Sequence, residues 1–349
     1  MKVQKMSGLE RTRAVIAGGP VDRMPVQPML MTFASRHAGI PFGEYCRDGS
    51  KMAAAQLKVM RDFDLDILLT CSDPAREVID LAGEESVRWF DDQPPGIDEE
   101  KAALKDKSKL HRLKMPDLTK GGRMADRIRA IKILRSEAGP GAVVIGWVEG
   151  ALALAAELRG INRIMLDILD DPAFTDELLD FCARVAMHFA RAQIDAGADS
   201  IGMSDAAASM IGPAHYQRFL LPHQMKILGA IREMGAMSRV HMCGKTDPLL
   251  DQMKALPADV FELDFMTDIS LARAKLGPDA VICGTIPTIT TLLNGSPDDV
   301  LRDAARCHEI SGKYHIISPG CEVAPMTSLE NLQAMVRYSK SQQGLANST

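Results

Sequence analysis

Short, mainly apolar runs recur along the whole chain, and between them lie longer stretches in which apolar residues return with a helical period. Runs of this length, bounded by glycine, proline or charged residues, are typical of buried strands. Eight such runs are predicted to be strands, at residues 26–32, 66–70, 142–148, 199–203, 238–243, 260–264, 280–285 and 313–318. Strands that alternate with helices predict a parallel sheet with right-handed crossovers. The pattern therefore predicts an α/β fold, a (β/α)8 TIM barrel, whose active-site groups lie at the carboxyl ends of the strands.

An open, doubly wound sheet is the alternative to the barrel, but no Gly-x-Gly-x-x-Gly sequence follows any predicted strand. The regular spacing is interrupted once, after the second strand. Residues 83–120 combine a turn-rich stretch with a long charged run, and we expect an inserted hairpin and a surface helix whose charges face solvent. Residues 1–349 are otherwise expected to form a single barrel domain. Near its start, Ser7 and Glu10 have the spacing of a capping box at a helix N-terminus.

Composition narrows the classes of function. A net charge of -5 over 349 residues gives no support for nucleic-acid binding, and no apolar run is long enough to span a bilayer. The N-terminus carries no apolar segment of the kind found in signal peptides. Seven cysteines scattered over a chain of this length do not suggest a disulfide framework. We therefore expect a cytoplasmic protein with reduced thiols.

Residues that suggest metal chemistry concentrate at two predicted strand ends. His241 and Cys243 are two positions apart at the end of the fifth strand, so their side chains point to the same face. A second cysteine, Cys321, follows the eighth strand in a Ser-Pro-Gly-Cys turn. In a barrel these two strand ends meet at one mouth. An imidazole and two thiolates are typical ligands of Zn²⁺, and three protein ligands leave a fourth position open for substrate.

Ordinary packing is the competing explanation for these residues. A buried cysteine usually behaves as a small apolar residue, and a single histidine is often a hydrogen-bonded core group. Cys321 favours the metal site, because packing does not readily explain a cysteine in that turn. The other cysteines are expected to be structural, although Cys71 and Cys283 lie close enough to strand ends to approach the mouth.

Several carboxylates also fall at predicted strand ends, and more than one role is open to each. Asp205 and Asp73 are the candidate catalytic residues: each could bind substrate or orient a ligand, and each could equally cap the segment that follows it. Glu262 and Asp264 share one face of the sixth strand. One of them could support His241 from behind or serve as a fourth zinc ligand in the resting state.

The opening segment, residues 10–25, resembles the start of the uroporphyrinogen decarboxylase superfamily. One branch of this superfamily consists of corrinoid-dependent methyltransferases and includes the methylcobamide:coenzyme M methyltransferases. His241-x-Cys243-Gly244, together with the distant Cys321, is similar to the zinc motif of that branch. Residues 66–73 and 204–213 resemble the same branch. The likeness covers nearly the whole chain, and the His-x-Cys…Cys triplet is its most specific part.

This resemblance implies a zinc-dependent methyltransferase that moves a methyl group between a methylcorrinoid and a thiol such as coenzyme M. Binding to Zn²⁺ deprotonates a thiol and leaves its sulfur reactive. The corrinoid is expected on a separate protein, because the chain contains no Asp-x-His-x-x-Gly segment. A homodimer at most is implied, without nucleic-acid or membrane partners.

Three alternatives stay open at this point. A tetrahydrofolate could replace the thiol as the methyl acceptor. A porphyrinogen decarboxylase, which works without a metal, would use Asp73 as its catalytic aspartate, but Arg36 is the one arginine where that branch places a basic cluster. A non-catalytic zinc-binding or carrier-docking protein would instead show a closed site with four ligands.

Overall fold

Parallel strands form the centre of the computed structural model, which describes residues 4–342. In chain order the strands are β1 (Ile67–Leu69), β2 (Val87–Arg88), β3 (Gly96–Ile97), β4 (Val143–Glu149), β5 (Ser200–Ser204), β6 (Met237–Met242), β7 (Val260–Leu263), β8 (Ile282–Cys283) and β9 (His315–Ile316). Seven of them form one parallel sheet in the order β1-β4-β5-β6-β7-β8-β9, while β2 and β3 form a separate antiparallel hairpin.

Helices connect the strands and cover the sheet. In chain order they are α1 (Gly8–Ile16), α2 (Thr32–His37), α3 (Phe42–Arg47), α4 (Gly49–Phe63), α5 (Ala75–Ala82), α6 (Arg123–Ala138), α7 (Ala151–Arg159), α8 (Ile161–Asp170), α9 (Pro172–Asp195), α10 (Gly212–His215), α11 (Leu221–Glu233), α12 (Leu250–Met253), α13 (Ile269–Leu276), α14 (Pro297–Ser311) and α15 (Leu329–Ser341). The capping box predicted at the start of α1 is present, with both reciprocal hydrogen bonds between Ser7 and Glu10. Within residues 4–342, no helix has both the length and the apolar character that crossing a membrane requires.

Seven of the eight predicted strands are present, as β1 and β4–β9, and the predicted alternation of parallel strands with helices is confirmed. The prediction of a continuous strand at residues 26–32 is wrong. This segment makes only isolated parallel bridges, from Val26 to Ile317 and from Met29 to Glu322. Pro28 explains the interruption, because proline has no N–H to donate to a strand ladder.

Side chains join this segment to β1 on its other side. Gln56 of α4 donates from Nε2 to the Leu30 carbonyl at 2.6 Å, and its Oε1 accepts from the Leu69 amide at 3.4 Å. Asp66, just before β1, accepts from the Val26 amide at 3.3 Å. Backbone groups on both sides of the gap therefore find partners, and the segment lies between β9 and β1.

A buried ion-pair cluster holds the N-terminal segment against the sheet. Arg11 pairs with Asp22 at 2.7 Å, Arg23 pairs with Asp66 at 2.9 Å, and Arg11 also contacts Asp66. Because Asp66 immediately precedes β1, this cluster lies at the amino ends of the strands. These arginines are therefore at the opposite end of the sheet from the predicted active site.

One row of the sheet sets the level of the candidate site. Glu149, His241 and Glu262 occupy the same register row across β4, β6 and β7. Residues in register in a parallel sheet project to the same face. Trp147 lies on that face two residues before Glu149, and its neighbour Gly202 makes room for it, since a Cβ there would lie 2.4 Å from the indole ring.

Candidate metal centre

His241, Cys243 and Cys321 are brought together at the carboxyl ends of the strands. His241 is the penultimate residue of β6, Cys243 directly follows that strand, and Cys321 lies in the loop after β9. Their ligand atoms all lie within 4.8 Å of one another. In the part of the chain that the structure describes, no further histidine, cysteine or carboxylate joins this group, the His–Cys–Cys triad.

The two ring nitrogens of His241 have different partners. Nδ1 lies 3.2 Å from the Glu262 carbonyl oxygen, and Nε2 lies 3.3 Å from the Cys243 sulfur. A carbonyl oxygen only accepts, so we assign a proton to Nδ1, which makes Nε2 the nitrogen available to a metal. Such a backbone hydrogen bond is the usual way in which a metal-binding imidazole is oriented.

The two triad cysteines differ in acidity. Hydrogen bonding from the Cys243 thiol, with a further contribution from His241, lowers the pKa of Cys321 to about 4. The shared hydrogen bond with Cys321, together with burial, raises the pKa of Cys243. The pair therefore holds one proton between a thiolate and a thiol. Metal ligation would displace that proton, because both sulfurs bind as thiolates.

Two glycines determine where the sulfurs lie. In the turn after β6, Gly244 has a φ of +83°, a left-handed conformation that favours glycine, and its N–H donates to Asp264 at 2.8 Å. In the loop after β9, Gly320 passes so close to the backbone that a Cβ would lie 2.1 Å from the Phe265 nitrogen. Each triad cysteine is thus adjacent to a glycine that its turn requires.

The donor set fits Zn²⁺. Zinc binds cysteine sulfur at about 2.3 Å and histidine nitrogen at about 2.0 Å, which places two sulfurs about 3.8 Å apart in a tetrahedron. Ligand atoms within 4.8 Å of one another need only small movements to reach this geometry. Three protein ligands leave the fourth position for substrate, an arrangement of catalytic rather than structural zinc sites.

The carboxylates of the sixth predicted strand do not join the triad. Glu262 accepts from Gln27 at 2.8 Å and pairs with the fully buried Arg239 at 3.2 Å. The carboxylate of Asp264 accepts from the backbone of the turn after β6. Support for His241 comes instead from the backbone carbonyl of Glu262.

The triad opens into a cavity of about 510 Å³ at the carboxyl ends of the strands. Much of its wall is apolar and includes Met29, Met31, Ile97, Trp147, Ile161 and Met210. Carboxylates also line it, namely Asp73, Glu99, Glu149, Glu157 and Glu322. No arginine or lysine from residues 4–342 lies in the wall. The volume exceeds the needs of a small thiol and is typical of sites for larger ligands.

The segment inserted after the second predicted strand supplies part of this wall. Its hairpin is present as β2 and β3, and Ile97 of β3 and the nearby Glu99 line the cavity. The predicted surface helix is reduced to two short 3₁₀ turns, Glu99–Lys101 and Lys107–Arg112. The expectation that the charges of this segment face only solvent is wrong for Glu99, because β3 leads directly into the cavity wall.

Asp73 lies in the same wall. Its Oδ2 accepts from Arg123 at 2.7 Å and from Ser72 at 2.6 Å, while its buried Oδ1 has no hydrogen-bond partner among the described residues. Burial opposes ionisation, but the Arg123 guanidinium holds the pKa of Asp73 below its usual range. Asp73 is therefore an ion-paired carboxylate with one oxygen unpartnered.

Asp205 is fully buried and is not part of the cavity wall. Its Oδ1 accepts from the amides of Leu152 and Ala153 at 3.1 and 2.9 Å, and its Oδ2 accepts from Gln224 at 2.9 Å. Burial raises the pKa of Asp205 to about 6. Of the roles open to it, the contacts match a helix cap, on α7 rather than on the segment that follows Asp205 in sequence.

A buried ionic cluster beside the cavity has no role in the sequence-based prediction. Arg76 is fully buried and contacts Glu77 at 3.1 Å and Glu149 at 3.0 Å. Burial raises the pKa of Glu149 to about 8 and that of Glu157 to about 7. The sequence places Glu149 at the end of the third predicted strand, whereas no local pattern distinguishes a buried arginine such as Arg76 from an exposed one.

Known proteins resemble this chain in sequence and in structure. A family model described as uroporphyrinogen decarboxylase (URO-D) matches residues 8–342. The methylcobamide:CoM methyltransferase MtbA of Methanosarcina mazei is 32% identical over 221 residues, which span 63% of this chain and 64% of that protein. MtbA of Methanosarcina acetivorans is 29% identical over 336 residues, 95% of this chain and 97% of that protein. The solved structure of a methyltransferase from Methanosarcina mazei has a TM-score of 0.87 at 23% identity, covering 97% of this chain and 99% of that one, which supports the fold.

Proposed function

The chain belongs to the uroporphyrinogen decarboxylase family, and we propose that it is a zinc-dependent methyltransferase that moves a methyl group between a methylcorrinoid and a thiol. The methylcobamide:CoM methyltransferases among its relatives support this class of reaction. The observation that carries the proposal is the His–Cys–Cys triad, whose ligand atoms lie within 4.8 Å of one another in the wall of a ligand-sized cavity.

The residues of the triad prepare a site for a sulfur nucleophile. When bound, Zn²⁺ lowers the pKa of a substrate thiol and holds the sulfur as a thiolate. His241 offers Nε2 because its Nδ1 donates to the Glu262 carbonyl. The thiolates of Cys243 and Cys321 cancel the charge of a divalent ion, so a substrate thiolate makes the site negative overall. Electron density therefore stays on the substrate sulfur.

Methyl transfer requires one bond to form as another breaks. The thiol loses its proton to solvent, and its sulfur attacks the methyl carbon of the methylcorrinoid in line. The S–C bond forms as the Co–C bond breaks, and the electron pair stays on cobalt as Co(I). Apolar side chains of the cavity wall, including Met29, Trp147 and Met210, limit access of water to the reacting sulfur.

A separate corrinoid protein is the proposed partner, because the chain contains no Asp-x-His-x-x-Gly segment. Exposed apolar side chains occur in the loops that follow β5, β7, β8 and β9, namely Met210, Phe265, Met266, Ile289 and Met326. Single exposed apolar residues are common, but several around one rim are typical of a docking surface. A partner seated on this rim would present its methyl group to the cavity.

The remaining features of the proposal concern the whole chain. Residues 4–342 act as one TIM-barrel domain, with the barrel completed by residues 26–30 and residues 83–120 inserted into it. The seven free thiols support a reducing cytoplasm as its compartment. The homodimer that the resemblance implies stays a prediction.

A porphyrinogen decarboxylase is the competing function within the family. Its substrate bears many carboxylates and needs basic groups, whereas five carboxylates and, within residues 4–342, no arginine or lysine line the cavity. Arg11 and Arg23 of the N-terminal segment are paired with Asp22 and Asp66 at the other end of the sheet. Transfer to a tetrahydrofolate would keep the triad and change only the acceptor.

Zinc-loaded protein incubated anaerobically with methylcobalamin and a thiol tests the proposal. We expect cob(I)alamin, followed by its absorbance, to form in step with methylated thiol, and we expect chelation to abolish activity until Zn²⁺ is restored. Cys321→Ala should be inactive, whereas Cys182→Ala, which alters a buried cysteine of α9 outside the triad, should be active. If the protein methylates a tetrahydrofolate but none of the thiols, a thiol is not the methyl acceptor. Decarboxylation of a porphyrinogen that survives chelation would overturn the proposal.

A further inference from the structure

Three carboxylates in the cavity wall have no counter-charge. Asp73 and Glu149 each have an arginine behind the wall, Arg123 at 2.7 Å and Arg76 at 3.0 Å, although Glu149 shares Arg76 with Glu77. Within residues 4–342, no ion pair involves the other three, which are Glu99, Glu157 and Glu322. Since no lysine or arginine of this part of the chain lines the cavity, the wall offers no positive charge to offset its ionised carboxylates.

Glu157 is the carboxylate whose surroundings are most informative. It lies on α7 with Ala153 and Ala156, and all three line the cavity. Residues three and four positions apart share one face of a helix, so this face of α7 carries the carboxylate toward the cavity. Burial, and then the charges of neighbouring carboxylates, raise the pKa of Glu157 to about 7. A carboxylate that is this costly to ionise lacks a cationic partner in the protein.

Other acidic groups surround Glu157. Asp73 and Glu99 line the same cavity, and the charges of Glu77, Asp73 and Glu99 add to the raised pKa of Glu157. The side chain of Asp73 is fully buried and pairs with Arg123 at 2.7 Å, so Asp73 adds to the charge around the cavity without itself offering a contact to a ligand.

We propose that the thiol which reaches the triad carries a positive charge at its other end, as an aminothiol does, and that Glu157, with Glu99 in the same wall, binds that charge. This inference rests on the proposed function, because it takes the triad as the sulfur-binding end of the cavity. A thiol with a sulfonate or carboxylate tail would meet like charges, and no lysine or arginine of the described wall would offset them. An ammonium group would meet carboxylates that no lysine or arginine of the described wall neutralises.

Three thiols with the same two-carbon chain separate charge from size: cysteamine is cationic, 2-mercaptoethanol is neutral and coenzyme M is an anionic sulfonate. Their binding to zinc-loaded protein is measured by isothermal titration calorimetry. We expect cysteamine to bind about tenfold tighter than 2-mercaptoethanol, the factor typical of one charge-assisted hydrogen bond, and coenzyme M to bind weakest.

Variants of the cavity wall test whether its carboxylates cause this order of thiol affinities. Glu157→Gln removes the charge with little change of shape, so the preference for cysteamine over 2-mercaptoethanol should fall about tenfold relative to the wild type. Glu99→Gln gives a second test in the same wall. The control is Glu233→Gln, at the exposed end of α11 near the amino ends of the strands, which should keep the wild-type order. Because the affinity ratio of two thiols in each variant is compared with the same ratio in the wild type, differences in the intrinsic zinc affinity of the thiols cancel.

Binding decides the inference, and methyl transfer decides the proposed function. Coenzyme M binding as tightly as cysteamine, binding by none of the three thiols, or a cysteamine preference that survives both Glu157→Gln and Glu99→Gln would overturn the inference. The expected order of binding without methyl transfer to any thiol would overturn the proposed function while the charge preference stands.

Discussion

Substitutions of Asp205 separate a structural role of this residue from a catalytic one. Its carboxylate accepts three buried hydrogen bonds, from the amides of Leu152 and Ala153 and from the side chain of Gln224. Asp205→Ala leaves all three donors without an acceptor. An unsatisfied buried donor costs about 1–3 kcal/mol, so we expect this variant to lose roughly 3–9 kcal/mol of its free energy of unfolding. A loss of that size is a large fraction of the total stability of a typical protein.

Asparagine at the same position keeps an acceptor for the two α7 amides. Its Nδ2 can donate to Gln224 if that side-chain amide turns round. The hydroxyl of Tyr216, which donates to Gln224 at 2.6 Å, can then accept instead. The two α7 amides and Gln224 keep a partner, and only the Tyr216 hydroxyl proton loses its acceptor, so we expect Asp205→Asn to cost about 1–2 kcal/mol at acidic pH.

The same variant changes how stability depends on pH. Burial raises the pKa of Asp205 from 3.8 to about 6, so the folded protein binds this proton more tightly than the unfolded chain does. The wild type therefore loses up to roughly 3 kcal/mol of stability as the pH rises through the window between these two values. Asp205→Asn lacks this loss, and its stability relative to the wild type should rise by that amount between the acidic and the neutral end of the window.

Urea unfolding followed by circular dichroism, at both ends of that window, measures these differences, and methyl transfer per bound zinc at neutral pH measures function. We expect Asp205→Asn to turn over at close to the wild-type rate. General acid–base catalysis contributes about a hundredfold or more, so a loss of that size in folded, zinc-loaded Asp205→Asn would refute the structural role. A stability difference that does not change with pH would refute the argument from burial.

Three further predictions concern the triad and the sheet. Cys243→Ala and Cys321→Ala should each lose nearly all zinc, measured by mass spectrometry, while their circular dichroism spectra stay native. The control, Cys182→Ala, should keep one zinc, and retention of zinc in either triad variant would contradict the site. Gly320→Ala would place a Cβ 2.1 Å from a backbone nitrogen, so the cysteine loop should shift and zinc affinity should fall about tenfold; unchanged affinity would show that the loop can yield. Gln56→Leu leaves two buried backbone groups unpaired and should lower the free energy of unfolding by roughly 2–4 kcal/mol; a negligible loss in urea unfolding would show that the Gln56 amide does not hold residues 26–30 to the sheet.

The sequence by itself determined the features that depend on local periodicity and local spacing. Seven strands alternating with helices could be predicted because strand and helix periods of apolar residues are local signals. The meeting of His241, Cys243 and Cys321 was also predictable, since the carboxyl ends of parallel strands share one edge. Pro28 shows the limit of such reasoning, because its missing N–H interrupted a run whose apolar pattern matched a strand.

Only the tertiary structure decided which polar groups meet and how their charges are balanced. Asp205 caps a helix that precedes it in sequence by about fifty residues, and Glu99 of the inserted segment reaches the wall that Glu157 of α7 also lines. Such pairings depend on how helices and loops pack onto the sheet. The sequence neighbours of a polar residue carry no information about a partner that is distant in the chain. They also do not indicate how deeply the residue is buried, and that burial shifts its pKa.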